Sequence, residues 1–348
     1  MAKRRPAHAA ALVALQALAL AVAHGAEPPA GSKPAGGLPE GDAGIAAKYP
    51  GDAGIEKDPD VVFAENFEIQ SLDALGGKWN QVNQKITSLS PDVPPASRGK
   101  RSILFTHIGG QGAGGHLYKV FKPGFDQLFI RFYVKFAEDC GEIHHFMHLG
   151  GYNPPTPWPQ GGAGIRPKGH ERFTTGIEPY GNAWRWDFYS YWMEMRGGPP
   201  RGQCWGNSFL GDAKPRVEKG KWQCIEAMMK LNDVGDSNGE QALWVDGKLA
   251  GHLGKGFPKG KWVFANFLPG QGGECVRWND QKGDREYFRV AEGGEPFEGF
   301  RWRNNDALKL NFLWVLVYIT KTPEGHESKV WFDDIVLARS YIGPLKAR

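Results

Sequence analysis

The stretch WQCIEAMMKLNDVGDSNGEQALWVDGK, Trp222 to Lys248, decides the fold class. WQCIEAMMKLN and QALWVDGKLAG alternate apolar and polar residues, and DVGDSNGE between them supplies the Gly, Asp and Asn of a chain reversal. The pattern predicts a β-hairpin; a short helix over IEAMMKL is the rival reading. Strand-like runs continue outward on both sides. Upstream lie VVFAENFE from Val61, SILFTH (Ser102 to His107), HLYKVF (His116 to Phe121), QLFIRFYVKF (Gln127 to Phe136) and EIHHFMHLGG (Glu142 to Gly151). Downstream, LKLNFLWVLVYIT, a Pro-Glu-Gly turn and SKVWFDDIVLARSYIG close the chain, after a loop-rich region over 255–300. The glycine run GGQGAGG between two of these strands lacks the Gly-Lys-Ser/Thr ending of a phosphate loop, and no helix pattern follows it. Many short strands, turn-rich connections and no alternation of strand with helix predict an all-β sandwich of the jelly-roll type.

The 348 residues are 41% hydrophobic and 23% charged, enough to bury a sizeable core. The 13 Trp exceed ordinary usage, and flat aromatic faces with a polar handle suit sugar rings as well as cores. A formal charge of +4 with no basic run or nucleic-acid motif gives no reason to infer a nucleic-acid partner. A weakly basic cleft can still attract an acidic polymer.

Residues 1–25 read as a secretory signal peptide. Lys3, Arg4 and Arg5 precede the apolar run Ala9 to Ala23, and Ala23-His24-Gly25 is a small-x-small cleavage site. That run is short for a membrane span, and no later stretch qualifies, so a secreted, periplasmic or cell-surface protein is expected. Residues 26–60, rich in Pro, Gly and Ala and carrying GDAGI twice (Gly41 to Ile45 and Gly51 to Ile55), read as an exposed tether. Residues 61–348 read as one jelly-roll domain, expected to be a monomer. Cys140, Cys204, Cys224 and Cys275 allow one or two disulfides in three pairings, and none of their spacings is that of a zinc site.

Side-chain alternation sorts the polar residues onto faces. In EIHHFMHLGG it groups Glu142, His144, Phe146 and His148 against Ile143, His145, Met147 and Leu149. His144 and His148 would stand roughly 13 Å apart along a strand, which disfavours a shared metal ion. In GNAWRWDFYSYWMEMR (Gly181 to Arg196) one face holds Trp184, Trp186, Phe188 and Trp192, a possible stacking platform; the other holds Arg185, Asp187, Tyr189 and Tyr191. Arg131 and Tyr133, alternating with Lys135, would extend a polar substrate-binding face. The long Pro/Gly loop from Tyr152 to Thr175 offers Trp158 and His170 as parts of a lid.

Taken together, VVFAENFE, LFIRFYVKF, KWQCIEAMMKLN…GEQALWVDGK and VWFDDIVLA resemble the concanavalin-like jelly-roll polysaccharide lyases. These are the alginate and glucuronan lyase families, with the related fungal cellulose-induced secreted protein. The resemblance spans most of Val61 to Ile342 as spaced strand phrases with divergent loops. It implies β-elimination on a uronic-acid-containing polysaccharide. It also implies that Tyr189 and Tyr191, the Tyr-x-Tyr pair, act as acid and base beside Arg185 as carboxylate neutraliser. His144 or His145 then stands where the alginate-type pattern has a Lys, as base or carboxylate ligand, with His148 contacting substrate. Because first and last strands pair in similar folds, it further implies a structural calcium on Glu65 and the Asp333-Asp334 pair. Retaining glycoside hydrolysis is disfavoured by the lack of a Glu-x-Asp-x-x-Glu triplet. The alternative is a non-catalytic carbohydrate-binding protein using Trp184, Trp186 and Trp192, and a third reading is a surface or matrix structural protein.

Overall fold

The computed structural model describes residues 37–111, 114–159, 161–180, 183–197, 203–211, 215–270, 274–279, 284–289 and 294–347. The signal peptide expected over 1–25 lies outside the described residues. In chain order the strands are β1 (Val61–Glu65), β2 (Gln81–Asn83), β3 (Thr87–Ser90), β4 (Ser102–Ile108), β5 (His116–Phe125), β6 (Gln127–Phe136) and β7 (Ile143–His145). Next come β8 (Met147–Tyr152), β9 (Arg172–Tyr180), β10 (Arg185–Tyr191), β11 (Gln223–Lys230), β12 (Glu240–Val245) and β13 (Lys248–Leu253). Then follow β14 (Lys259–Val263), β15 (Asn266–Pro269), β16 (Glu274–Asn279), β17 (Asp284–Arg289), β18 (Glu295–Pro296), β19 (Leu310–Leu316), β20 (Tyr318–Ile319) and β21 (Glu327–Ala338). Helical structure among the described residues is confined to 3-10 turns.

Two antiparallel sheets carry the fold. One runs β13-β12-β11-β6-β21-β4-β3, with β1 also paired to β21; the other runs β10-β9-β8-β19-β5-β2. The Trp222 to Lys248 hairpin forms as expected, as β11 and β12, with Ile225 opposite Val245 and Lys230 opposite Glu240. IEAMMKL is strand because it sits between β6 and β12, where each backbone amide finds a cross-strand partner. The sequence reading ends the long loop at Thr175, but strand structure resumes at Arg172. The loop-rich 255–300 region holds small two- and three-stranded sheets.

Alternation places the core between the sheets. Along β6, Leu128, Ile130, Phe132, Val134 and Phe136 point inward and are essentially inaccessible. From the other sheet Leu117, Leu149, Phe173, Ile177, Trp186, Phe188 and Leu313 meet them.

The large sheet is covered on its outer face too, by chain expected to be a tether. Over 41–57 the backbone makes four short 3-10 turns that dock on β6, β11, β12 and β21. The two GDAGI copies each place an isoleucine, Ile45 and Ile55, in a second apolar cluster with Phe129, Met228, Trp244, Tyr341 and Ile342. Each such burial contributes about 1.5–3 kcal/mol. Gly44 lies so close to the closing segment that a Cβ there would fall 2.1 Å from the Ile342 carbonyl oxygen. The second copy also supplies Asp52, which pairs with the fully buried Arg131 guanidinium.

That pair corrects the expectation for β6. Arg131 and Tyr133 do not extend a substrate face, because β6 belongs to the large sheet and its outer side is roofed by the strap and the C-terminal segment. The Tyr133 hydroxyl accepts a bond from the Leu345 N–H (2.8 Å). Asp52→Asn would leave Arg131 buried without its counter-charge, so a loss of about 3–5 kcal/mol in urea unfolding is expected. Asp52→Leu combined with Arg131→Met should recover most of it; equal losses in both variants would show that the strap, not the pair, carries the stability.

Candidate active site

The small sheet leaves its outer face open at β8, β9 and β10. Along β9 the residues alternate strictly: Phe173, Thr175 and Ile177 face the core, while Arg172, Thr174, Gly176 and Glu178 face outward. Register then aligns the site. His148 on β8 lies opposite Gly176, and Gly176 lies opposite Tyr189 on β10. The missing side chain at Gly176 leaves room for the Glu178 side chain between an imidazole and a phenol. Beside it lies a cleft of about 170 Å3, lined by His145, His148, Tyr189, Tyr191, Arg172 and Trp314 among others. It is small beside the roughly 300–1,000 Å3 of drug-sized pockets.

The histidines arrive there through a break in alternation. β7 ends at His145 and β8 begins at Met147, with Phe146 outside both. Phe146 and Met147 both enter the core, so His145 and His148 emerge on the same side. The expected grouping of His144 with His148 is therefore corrected. His144 is exposed, packs on Tyr318 at 5.3 Å between ring centres, and does not line the cleft. Burial, with His145 beside it, lowers its pKa.

Glu178 gathers the two imidazoles. Its Oε1 lies 3.2 Å from His145 Nδ1 and 3.0 Å from His148 Nε2, and accepts the Phe146 N–H at 3.3 Å. Burial by itself would raise this carboxyl, but the hydrogen bonds and charge of His145 and His148 outweigh it and hold it at about 2. His145 also stacks on Tyr318 (6.0 Å, 12° between planes), and His148 meets the Trp314 ring edge-on at 5.4 Å.

Across the cleft, the Tyr189 and Tyr191 hydroxyls lie 3.4 Å apart. The Tyr189 ring is 5.5 Å from that of His145 and lies flat against Gly206, where a Cβ would come within 2.7 Å. Burial, reinforced by the neighbouring Tyr191 hydroxyl, pushes the Tyr189 phenol above its ordinary value of 10. The Arg172 guanidinium sits 5.9 Å from the Tyr191 ring and donates to the Ile165 (2.6 Å) and Gly162 (3.3 Å) carbonyls, holding the 161–165 loop at the rim.

Several expected site residues lie elsewhere. Arg185 shares the outward face of β10 but is roofed by the segment over 207–211. Its guanidinium donates to the Gly211 carbonyl, and Asp187 Oδ1 accepts the Phe209 and Leu210 amides at 3.0 Å each. Trp186 and Trp192 are fully buried, and Trp184 packs against the core under the Lys219 ammonium, 3.8 Å from the ring centre. The proposed tryptophan platform is thus the inward face of β10. Trp158 is exposed but, like His170, does not line the cleft; Gly161, Gly162 and Ala163 of the same loop do. Cys140 and Cys224 are buried free thiols, and the Cys275 side chain lies outside the described residues.

Arg172, Gly176, Glu178 and Trp314 escaped the sequence reading. RFTTGIE does alternate, but the sequence reading extends the Pro/Gly loop to Thr175 and so takes in its first four residues.

The residues expected to hold calcium divide between two environments. Glu65 and Asp334 line a second cavity, of about 450 Å3, between the strap, β1 and β21, together with Asp52 and Glu68. Glu65 already accepts the Phe67 amide (2.9 Å) and the Trp79 indole N–H (3.2 Å). Asp334 Oδ2 is buried without a hydrogen-bond partner, and burial pushes this carboxyl up to about 6. Asp333 is fully buried and does not line the cavity; its Oδ1 accepts the Asp334 amide at 2.8 Å.

No family model matches the chain, and no curated protein matches it. Among solved structures, the marine PL-14 alginate lyase from Aplysia kurodai superposes with a TM-score of 0.51, covering 80% of this chain and 99% of that one at 14% identity. The fold is the jelly roll of these lyases. Alginate lyase vAL-1 from Chlorella virus aligns over 80% of this chain and 100% of its own at 14% identity, TM-score 0.49. The endo-β-1,4-glucuronan lyase from the fungus Trichoderma reesei aligns over 80% and 96% at 14% identity, TM-score 0.42. At these identities the likeness is one of fold, and the chemistry rests on the site itself.

The site depends on the bare backbone at Gly176, where a Cβ would meet Glu178 Oε1 at 2.7 Å. Gly176→Ala is expected to push Glu178 off both imidazoles. The nitrogen resonances of His145 and His148 should then shift, while those of His252, bonded to Glu240 at 2.7 Å on the other sheet, should stay in place. Unmoved His145 and His148 resonances would contradict the arrangement.

Proposed function

We propose that the protein is an exported polysaccharide lyase that cleaves a uronic-acid-containing chain by β-elimination in this cleft. The observation that carries the reading is the facing of two imidazoles and two phenols across Gly176, at the floor of an open sheet face. Elimination needs one group to take the proton beside the uronate carboxylate, one to protonate the departing glycosidic oxygen, and donors to neutralise the carboxylate.

Tyr189 keeps its proton at neutral pH, which suits it to donate to the leaving oxygen. The C–H proton passes to Tyr191 or His145. The electron pair forms the carbon–carbon double bond as the C–O bond breaks. His148 and Arg172, which line the cleft, supply the polar groups that receive the carboxylate. The role assigned to Arg185 passes to Arg172, because Arg172 is the arginine that lines the cleft.

The test is ultraviolet absorbance of the conjugated unsaturated product on a panel of alginate, glucuronan, pectin and glycosaminoglycans. Tyr189→Phe should lower the rate by about 100-fold or more, within the range general acid–base groups contribute, while Arg185→Lys should leave it within a few-fold. Binding across the panel with no product would replace the lyase by a carbohydrate-binding protein.

The same reading includes a structural cation in the second cavity, held by Asp334 with Glu65. A buried carboxylate oxygen without a partner is the donor a hard oxygen-seeking ion takes. Calcium should raise the melting temperature of the wild type and leave Asp334→Asn unmoved; identical shifts in both would remove the ion from this cavity.

A further inference from the structure

The cleft holds a second chemistry that a hydrogen-bonded trio alone does not use. Among the described residues, His145, His148 and Glu178 are the one group of three His, Cys, Asp or Glu side chains whose ligand atoms all lie within 4.8 Å of one another. Zinc binds imidazole nitrogen and carboxylate oxygen at about 2.0–2.2 Å, so two ligands at a tetrahedral angle stand about 3.3 Å apart. The separations from Glu178 Oε1, 3.2 Å to His145 Nδ1 and 3.0 Å to His148 Nε2, match that spacing, and the two imidazole nitrogens lie within 4.8 Å of each other.

Position and rigidity agree with it. All three side chains come from β7, β8 and β9 rather than from loops. Glu178 has its place only because Gly176 has no Cβ, and the rings of His145 and His148 are fixed against Tyr318 and Trp314. Two of the three, His148 and Glu178, are buried, while His145 and His148 line the cleft, so an ion would meet three protein ligands and keep an open position toward it. A divalent ion held by the two imidazoles would also offset the charge of the buried Glu178 carboxylate. Two imidazoles and one carboxylate select a borderline metal over calcium, which takes six to eight oxygens.

We propose that His145 Nδ1, His148 Nε2 and Glu178 form a three-ligand site for a divalent transition-metal ion of the zinc type, open to the cleft. Binding of the ion does not depend on the lyase reading; its role does. Under that reading the ion receives the uronate carboxylate, and proton abstraction falls to Tyr191, because His145 is then a ligand. The i, i+4 pair disfavoured from the sequence, His144 with His148, is not the one involved. The ligands are i and i+3, brought to one side by the break at Phe146.

The test is calorimetric titration of tag-free, chelator-stripped full chain with zinc chloride, with calcium chloride run in parallel. One equivalent of zinc should bind to the wild type, and cobalt chloride should give the visible absorption of a low-coordinate site. His148→Ala and Glu178→Gln should weaken binding by at least about 100-fold, the upper end of what losing even an outer partner of a metal ligand costs. His144→Ala should leave it unchanged. Absence of a zinc equivalent on the folded wild type overturns the proposal without recourse to any variant, as does equal binding by the wild type and His148→Ala. Zinc bound with no product on any polysaccharide supports the ion site and overturns only the lyase reading. Product formed at full rate by a protein that binds no zinc overturns the ion site and leaves the lyase reading in place.

Discussion

Everything in the cleft hangs on one carboxylate oxygen. Glu178 Oε1 is buried beneath the outer face of the small sheet and is met by two imidazoles and a backbone amide. A carboxylate in that position is stable only if donors converge on it, because desolvation otherwise forces it to take up a proton. The convergence has three structural sources: Gly176 leaves room, the Phe146 irregularity turns His145 toward the same side as His148, and strict alternation along β9 aims Glu178 outward. Losing any of these would strand a buried charge. The geometry is therefore imposed by the sheet rather than adjusted by flexible loops, which keeps the groups around the carboxylate fixed in place.

The opposite side of the sandwich is held by a comparable device put to a different use. Arg131 is buried on the outer face of the large sheet and is matched by Asp52 from the docked strap. The pair fixes where the strap lies, and the strap covers the apolar outer face of the large sheet around Phe129, Met228 and Trp244. The two sheets thus have distinct outer faces, one covered over β6, β11 and β12 by the 41–57 turns and one open above β8 to β10. That asymmetry, more than any single residue, places the binding surface.

The fold was legible in the sequence because period-two alternation is dictated by the strand itself. QLFIRFYVKF and the Trp222 to Lys248 hairpin become β6, β11 and β12, with alternate residues facing the core between the sheets. The site was half legible. Tyr189 and Tyr191 lie on the open face because β10 alternates without a break, and that same regularity buries Trp186 and Trp192. His145 was assigned to the wrong companions because a one-residue irregularity reverses every face beyond it, and nothing in HHFMH announces it. Arg131 and Arg185 misled for another reason. Alternation tells which residues share a face but not which sheet the strand joins, nor what later chain roofs it. The strap illustrates the same limit: GDAGI looks like linker composition, and only its partner surface, the apolar outer face of β6 and β12, makes it structure.

The proposal that a polysaccharide binds in the cleft between His148 and the Tyr189–Tyr191 pair is tested most directly by hydrogen exchange. The full chain carrying Tyr189→Phe, to keep substrate uncut, would be compared with and without saturating oligouronate. The account predicts added protection in β8, β9 and β10 and in the 161–165 loop, with no change in the 41–57 strap. Protection centred on the strap and β1, with β8 to β10 unaffected, would contradict it.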